Sequence, residues 1–384
     1  MSQTTRQRVR LALLRAVAKW PRPRSQRLGH RILIIRPDHL GDLLFLTPAL
    51  RILRIVYPGA HITALVGPWA TPVVAHNPHL NAISTCEFPA FTRRAKGGIL
   101  APYRQLWREA NELRRGTYDS AVIFRFDHWW GAMLVWLAGI PFRLGYDVPE
   151  CRPFLTEAVP YICGRHEVEQ NLHLVEALCG RPLAKPIDPR FYPLEYTPTN
   201  EDRESVSQYL VARGVERDAI LVAIHPGAGA PVKLWDPAKY AVVADALVRG
   251  FKAQVVITGG RDELSLAWSV AARMMAPAIV AAGETTIGQL AALFERCALV
   301  IGPDSGPLHL AVAVGVPTVH LYGPVDTNTF GPWGDPARHI VVRSERDCIP
   351  CNRLDYSPQE LAAHPCVQEI TTESVLNAAQ RILG

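Results

Sequence analysis

No aspartate or glutamate occurs in the first 31 residues, which hold nine lysines and arginines (Arg6, Arg8, Arg10, Arg15, Lys19, Arg22, Arg24, Arg27, Arg31). The rest of the chain carries 32 of the 41 basic residues against all 35 acidic ones, so the net charge of +6 belongs to a leader. A slightly acidic body offers no footprint for nucleic acid. Also missing is any run of about 18 apolar residues, the length a spanning helix needs. The longest candidate, GAMLVWLAGIPF at 131–142, is short and contains a proline. A signal-peptide core is absent too, because the apolar run Leu11–Leu14 stops at Arg15. These absences predict a cytoplasmic protein. Neither half has G-x-G-x-x-G after its first strand, and no G-x-x-x-x-G-K-[ST] appears. A nicotinamide dehydrogenase with that fingerprint and a P-loop kinase are therefore disfavoured.

What is present is alternation. RILIIR (31–36), HITALVG (61–67), NAISTCEF (81–88), YDSAVIFRF (118–126) and FRLGYD (142–147) are β-rich runs separated by helical stretches such as 48–56 and 103–115. HEVEQNLHLVEALCG closes this half at Gly180. Residues 180–202 contain five prolines and break regular structure. The alternation then restarts: AILVAIHPG, helix 236–250, AQVVITGG, helix 262–275, AIVAAG, helix 286–296, ALVIG, helix 306–314, TVHLYG. Apolar strands alternating with helices predict parallel sheets, so the fold class is α/β with two doubly wound Rossmann-like domains facing a cleft. The expected division is a leader at 1–30, an N-terminal domain at 31–185, a linker at 186–200, a C-terminal domain at 201–370 and a helix at 371–384 that either stays or crosses back. At 384 residues, two domains fit the usual size.

In the leader, Val9, Ala12, Leu13, Ala16, Val17 and Trp20 recur at helical spacing among basic residues. Residues 1–28 therefore read either as a peripheral contact for an anionic membrane surface or as a solvated helix.

Four stretches at strand ends carry chemistry. In RPDHLGDLLFLTPALRILR (36–54), the loop runs through Gly41–Asp42, where a strand ends and a helix begins, and Thr47–Pro48 is the start or continuation of a helix. Asp42 is either a helix cap or a carboxylate base. In HPGAGAPVKLWDPAKY (225–240), glycines such as Gly227 expose amides and Lys233 adds a mobile charge, which suits a diphosphate; a tight turn with a surface lysine is the plainer account. In ITGGRDE (257–263), Glu263 sits where a carboxylate can read ribose hydroxyls, or complement a helix dipole. In IGPDSGPLHLAVAVGVPTVHLYGP (301–324), Asp304, Ser305, Gly306 and His309 crowd a helix start. Elsewhere, Cys86, Cys151, Cys163, Cys179 and Cys297 read as reduced thiols. Cys348, Cys351 and Cys366, with His364 nearby, are either three more thiols or part of a structural metal knuckle. The basic run around Arg93, Arg94 and Lys96 faces an anionic acceptor or water.

GDLLFLTPALRILR, HPGAG…VKLWDPAKYAVVADAL, VVITGGRDE and IGPDSGPLHLAVAVGVPTVHLYGP, in that order, resemble glycosyltransferase family 9. RLGYD and HEVEQNLHLVEALCG fit too, so the resemblance runs from about residue 31 to 384; the leader lies outside it. The family comprises the bacterial heptosyltransferases of lipopolysaccharide core synthesis and their relatives. The resemblance implies the two-domain glycosyltransferase B fold and an inverting, metal-independent transfer that needs no cofactor. It also implies a nucleotide-sugar donor, typically ADP-heptose, and a lipid-linked or other envelope glycan acceptor. It assigns Asp42 as general base, Lys233 to the diphosphate, Glu263 to the ribose, and Asp304, Ser305, Gly306 and His309 to the donor phosphates and sugar. Such an enzyme works at the inner face of the cytoplasmic membrane. The alternatives within reach of the same residues are a nucleotide-sugar epimerase and a non-catalytic nucleotide-sugar binder.

Overall fold

The structure is a computed structural model describing residues 5–25, 29–92, 98 and 100–384; Arg93, Arg94 and Lys96 lie outside the described residues. The chain divides into two compact units, one holding the described residues up to His39 plus Leu46–Ile187, the other Leu40–Phe45 plus Asp188–Gly384. The boundary at Ile187 falls within the proline-dense stretch.

The first unit contains β1 (Arg31–Arg36), β2 (His61–Val66), β3 (Ala82–Thr85), β4 (Ser120–Ile123), β5 (Phe142–Tyr146) and β6 (Glu157–Val159), all parallel, in the order 3-2-1-4-5-6. The second contains β7 (Leu221–Ile224), β8 (Gln254–Ile257), β9 (Ala278–Val280), β10 (Leu299–Pro303), β11 (Thr318–Tyr322) and β12 (His339–Arg343). Its strands are also parallel, and counted within the unit they run in that same order. Each sheet therefore has one switch point, between β1 and β4 and between β7 and β10, where such folds bind ligands at the carboxyl ends. Ile32, Leu33, Ile34 and Ile35 of β1 and Leu299, Val300 and Ile301 of β10 are buried on both faces, as strands covered by helices on two sides must be.

The first core packs Leu33, Ile35 and Leu65 against Trp130 and Trp136 of the Trp129–Ala138 helix and Leu106 and Ala110 of the Ala101–Arg115 helix. The second packs Val222, Val255 and Ile301 against Trp235, Tyr240 and the terminal helix Thr372–Leu383. That helix buries Val375, Ala378 and Ala379 in this unit and does not cross back.

Some elements differ from the sequence reading. Thr47–Pro48 continues a helix and does not start one: the helix begins at Leu40, in the stretch read as loop, and runs to Val56 with Pro48 inside. Pro48 costs about 3 kcal/mol. However, Leu43, Leu44, Phe45, Leu46, Ala49, Leu50 and Leu53 are all buried, and each of the six large ones contributes ~1.5–3 kcal/mol. Burial outweighs the proline. The helix expected at 262–275 is a 3-10 turn, Arg261–Glu263, followed by Leu264–Ala271. Edge strands β6 and β12, short and half-buried, were not anticipated.

Candidate active site

The carboxyl ends of β7, β8 and β10 bring together most of the residues singled out by sequence. Asp304, directly after β10, is buried and accepts a 2.6 Å bond from Lys233 Nζ, which also donates to the Asp304 carbonyl at 3.3 Å. His309 Nε2 stands 3.7 Å from the other carboxylate oxygen. Burial alone would raise the Asp304 pKa, but the His309 and Lys233 contacts prevail and hold it at about 2. Its charge therefore stabilises the fold above the ordinary carboxylate range and is lost as pH falls towards 2.

Ser305 is the N-cap of the Gly306–Ala313 helix, yet its hydroxyl caps nothing. Both that buried Oγ and His309 Nδ1 lack a hydrogen-bond partner. The amides of Leu308 and His309 already bond the Ser305 carbonyl, and Pro307 has none, so this turn offers fewer donors than its glycine suggests. The side chains, not the amides, are what the turn leaves open. Behind His309, at a ring distance of 5.7 Å, lies His320. A buried chain links it through Thr318 Oγ1 (2.8 Å from His320 Nε2) to His339 Nδ1 (2.9 Å). Burial keeps His320 neutral, and the charges of His309 and His339 push the same way.

Glu263 and Gly227 meet directly. The carboxylate accepts the Gly260 amide at 2.7 Å, and a Cβ on Gly227 would lie 2.0 Å from its Oε1. Only glycine lets the loop after β7 approach so closely. His225, buried after β7, bonds Thr258 Oγ1 at 3.1 Å and faces Glu263 at 3.9 Å. Burial lowers its pKa, partly opposed by Glu263. His225 and Thr258 were not singled out by the sequence reading, although both lie inside quoted motifs. Trp235 is an anchor: buried, it donates to the Ile370 carbonyl at 3.0 Å, while Gln368 Nε2 donates to the Leu234 carbonyl at 2.8 Å. A segment distant in sequence thus braces the loop that carries Lys233.

Asp42 does not cap a helix. The N-cap is His39, and Asp42 stands third in the helix, half-buried, where an acid complements the dipole. The turn carrying it, Leu40–Phe45, belongs to the second unit. A Cβ on Gly41 would lie 3.2 Å from His309 Cδ2, and one on Gly306 would meet Leu40 at 2.9 Å and the Gly41 nitrogen at 3.2 Å. Phe45 presents its ring to His309 at 4.6 Å. Two helix starts therefore abut, glycine against glycine, one bearing Asp42 and the other Ser305, Gly306 and His309.

The first unit holds a cluster that sequence reasoning missed. At the ends of β1 and β4, the buried Arg36 binds Asp38 (2.7 Å), Glu167 (3.1 Å), the Phe124 carbonyl (2.6 Å) and Asn171 (3.3 Å). Arg125 pairs with Asp38 and, at 2.6 Å, with Asp127. The signal was an arginine closing an otherwise apolar strand, RILIIR. Beside the cluster, His128 sits among Phe88, Phe91 and Trp130 with both ring nitrogens unpartnered, and burial lowers its pKa to about 4.

The C-terminal thiols do not form a ligand set. Cys366 is buried with Ala230 and Val232, while Cys348 and Cys351 are exposed. Among the described residues no group of three His, Cys, Asp or Glu is placed to hold a metal ion. No helix among them is long and apolar enough to cross a membrane.

The glycosyltransferase family 9 (heptosyltransferase) model matches residues 106–360. Lipopolysaccharide heptosyltransferase 3 of Escherichia coli is 31% identical over 324 residues, covering 80% of this chain and 90% of that protein. The crystal structure of the glycosyl transferase family 9 protein from Veillonella parvula superposes with a TM-score of 0.78 at 26% identity, over 94% of this chain and 99% of the other. The E. coli ADP-heptose lps heptosyltransferase II structure gives 0.71 at 23% identity, over 92% and 98%. Twin parallel sheets in one strand order, with charged and orphaned polar groups at the second sheet's switch point, are the glycosyltransferase B architecture, and the chain belongs to glycosyltransferase family 9.

Proposed function

We propose that this enzyme transfers heptose from ADP-heptose to a lipopolysaccharide-core or other envelope glycan, with inversion and without a catalytic metal. The observation that supports the reading is the abutment of the turn that carries Asp42 on the Gly306–His309 turn, through Leu40, Gly41 and Phe45. The heptose and the acceptor class rest on the names of its relatives.

In this reading Asp42 takes the proton of an acceptor hydroxyl as its oxygen bonds the anomeric carbon, a role worth about 10²–10⁴ in rate. The carbon passes through an oxocarbenium-like state. The bond to the diphosphate oxygen breaks and its electron pair leaves with ADP. Lys233 stabilises the charge developing there. Asp304 holds Lys233 in place until the diphosphate competes for it. Ser305 Oγ and His309 Nδ1, buried and unpartnered in the free protein, bond the phosphates and sugar. Glu263, oriented by the Gly260 amide, accepts from the ribose. The protein acts on the inner face of the cytoplasmic membrane, with the basic leader as its contact.

The test is Asp42→Asn. Transfer should fall at least a hundredfold while calorimetric ADP-heptose affinity stays within about threefold. Transfer at the wild-type rate sinks the base assignment. A sugar product from donor alone, without acceptor, would make the enzyme an epimerase.

A further inference from the structure

Exposed apolar side chains are unevenly spread. Of the fifteen large ones among the described residues, six lie in two short segments: Leu13, Val17 and Trp20 in the leader, and Leu100, Tyr103 and Trp107 at the Ala101–Arg115 helix. Trp20 and Trp107 are 70% and 56% exposed. Buried Leu106, Ala110 and Leu113 fix which side of that helix faces the core. Tyr103 and Trp107 share one flank, with Arg114 stacked on Trp107 at 5.6 Å. The outer face carries Arg104, Arg108 and Arg115. The opposite flank is the polar one: Gln105 bonds the Glu87 carbonyl, and Glu109 pairs with Arg108.

The leader joins this surface. Its helix Thr5–Val17 buries Leu14 in the first unit's core, and Arg10 lies over Trp129 and pairs with Glu150. That leaves Leu13 and Val17 exposed on one flank. Arg22 stacks on Trp136 at 5.0 Å, while Arg114 bonds the Leu137 carbonyl at 2.6 Å. Leader and helix thus pack on one Trp129–Ala138 helix, where Arg22 and Arg114 feel each other's charge.

We propose that the Tyr103–Trp107 flank and the leader's Leu13–Val17–Trp20 edge form one composite face that docks on an anionic bilayer. Aromatic rings beside arginines suit the interface, with apolar bodies immersed and guanidinium groups on lipid phosphates. Arg104, Arg108, Arg114 and Arg115 outnumber Glu109 and Glu112 on this helix, and the basic leader adds to them, which fits an anionic occupant. The inference rests on the membrane-side reading above but assigns the larger share of docking to a helix outside the leader.

The test is sedimentation of the full-length protein with phosphatidylcholine vesicles, with and without phosphatidylglycerol. Wild type should pellet with the anionic vesicles and weakly with the neutral ones. Tyr103→Ser/Trp107→Ser and Arg104→Glu/Arg108→Glu should each weaken binding about tenfold. ADP-heptose binding should be unchanged, and Trp268→Ser, an exposed tryptophan of the second unit, should bind as wild type. Leu13→Ser/Val17→Ser/Trp20→Ser tests the leader separately. If it alone loses binding, the composite face is wrong and the leader reading stands; if it loses none while the helix variants do, the leader reading fails. No pelleting by wild type, equal pelleting with both vesicles, or self-association abolished by the helix variants without vesicle binding each overturn the proposal.

Discussion

Both sheets have one strand order and one switch point, yet the two crevices are finished differently. At the end of β1 the chain closes the space with its own charges: Arg36 spends its donors on Asp38, Glu167, Asn171 and a carbonyl. At the end of β10, Lys233, Asp304 and His309 also interlock, but Ser305 Oγ and His309 Nδ1 remain unpartnered in a buried setting. A buried polar atom left without a partner costs about 1–3 kcal/mol. One crevice is therefore completed by folding, and the other is left for a ligand to complete. His128, Tyr146 Oη and Thr71 Oγ1, orphaned in the first unit, are exceptions to the contrast.

The contrast breaks most easily at Arg36. Arg36→Ala strands buried carboxylates and should cost ~3–5 kcal/mol in denaturant unfolding, while the folded fraction binds donor normally. A lost donor affinity with intact stability would reverse the assignment of the two crevices.

Acid comes next. His225, His320 and His339 of the second unit, and His128 of the first, have pKa values lowered by burial, His128 and His339 to about 4. As pH falls from about 6.5 to about 4 the unfolded state takes up their protons first, so His128 and His339 each cost up to ~3 kcal/mol, recovered as pH rises again, and His225 and His320 act in the same direction. Three such groups against one predict that hydrogen exchange, corrected for intrinsic rate, accelerates more in β10–β12 than in β1–β4 between pH 7 and 5. Equal acceleration would deny the difference.

Gly227→Ala is a smaller test. The new methyl must displace the Glu263 carboxylate, costing ~1–3 kcal/mol of overpacking and weakening donor binding. Unchanged affinity would remove Glu263 from the donor site. Smallest is Ser305→Ala, which loses no bond in the free protein. Thermal stability should hold while donor affinity drops by about 1 kcal/mol, roughly fivefold. A lower melting temperature with donor affinity intact would make Ser305 structural.

Most strands and the order of the motifs were legible because strands buried on both faces leave apolar runs, and the glycine and acid clusters follow those runs. Gly180, a left-handed helix stop, was legible for the same local reason. Tertiary burial hid the rest. Pro48 argued locally against a helix that seven buried neighbours impose, and so Asp42 looked like a loop residue or a cap. The Arg36 network joins residues 131 positions apart, and no local pattern announces such a pairing. Strand β12 lies at an edge, half-buried, after a proline- and glycine-rich stretch that reads as loop.

The brace on Trp235 has a consequence in time. Its acceptor, the Ile370 carbonyl, follows it by 135 residues. At ribosomal rates that delay is on the order of ten seconds. Throughout it, a nascent chain holds Lys233 on a loop whose tryptophan lacks its native acceptor, so the brace closes only when synthesis has reached the segment around Ile370.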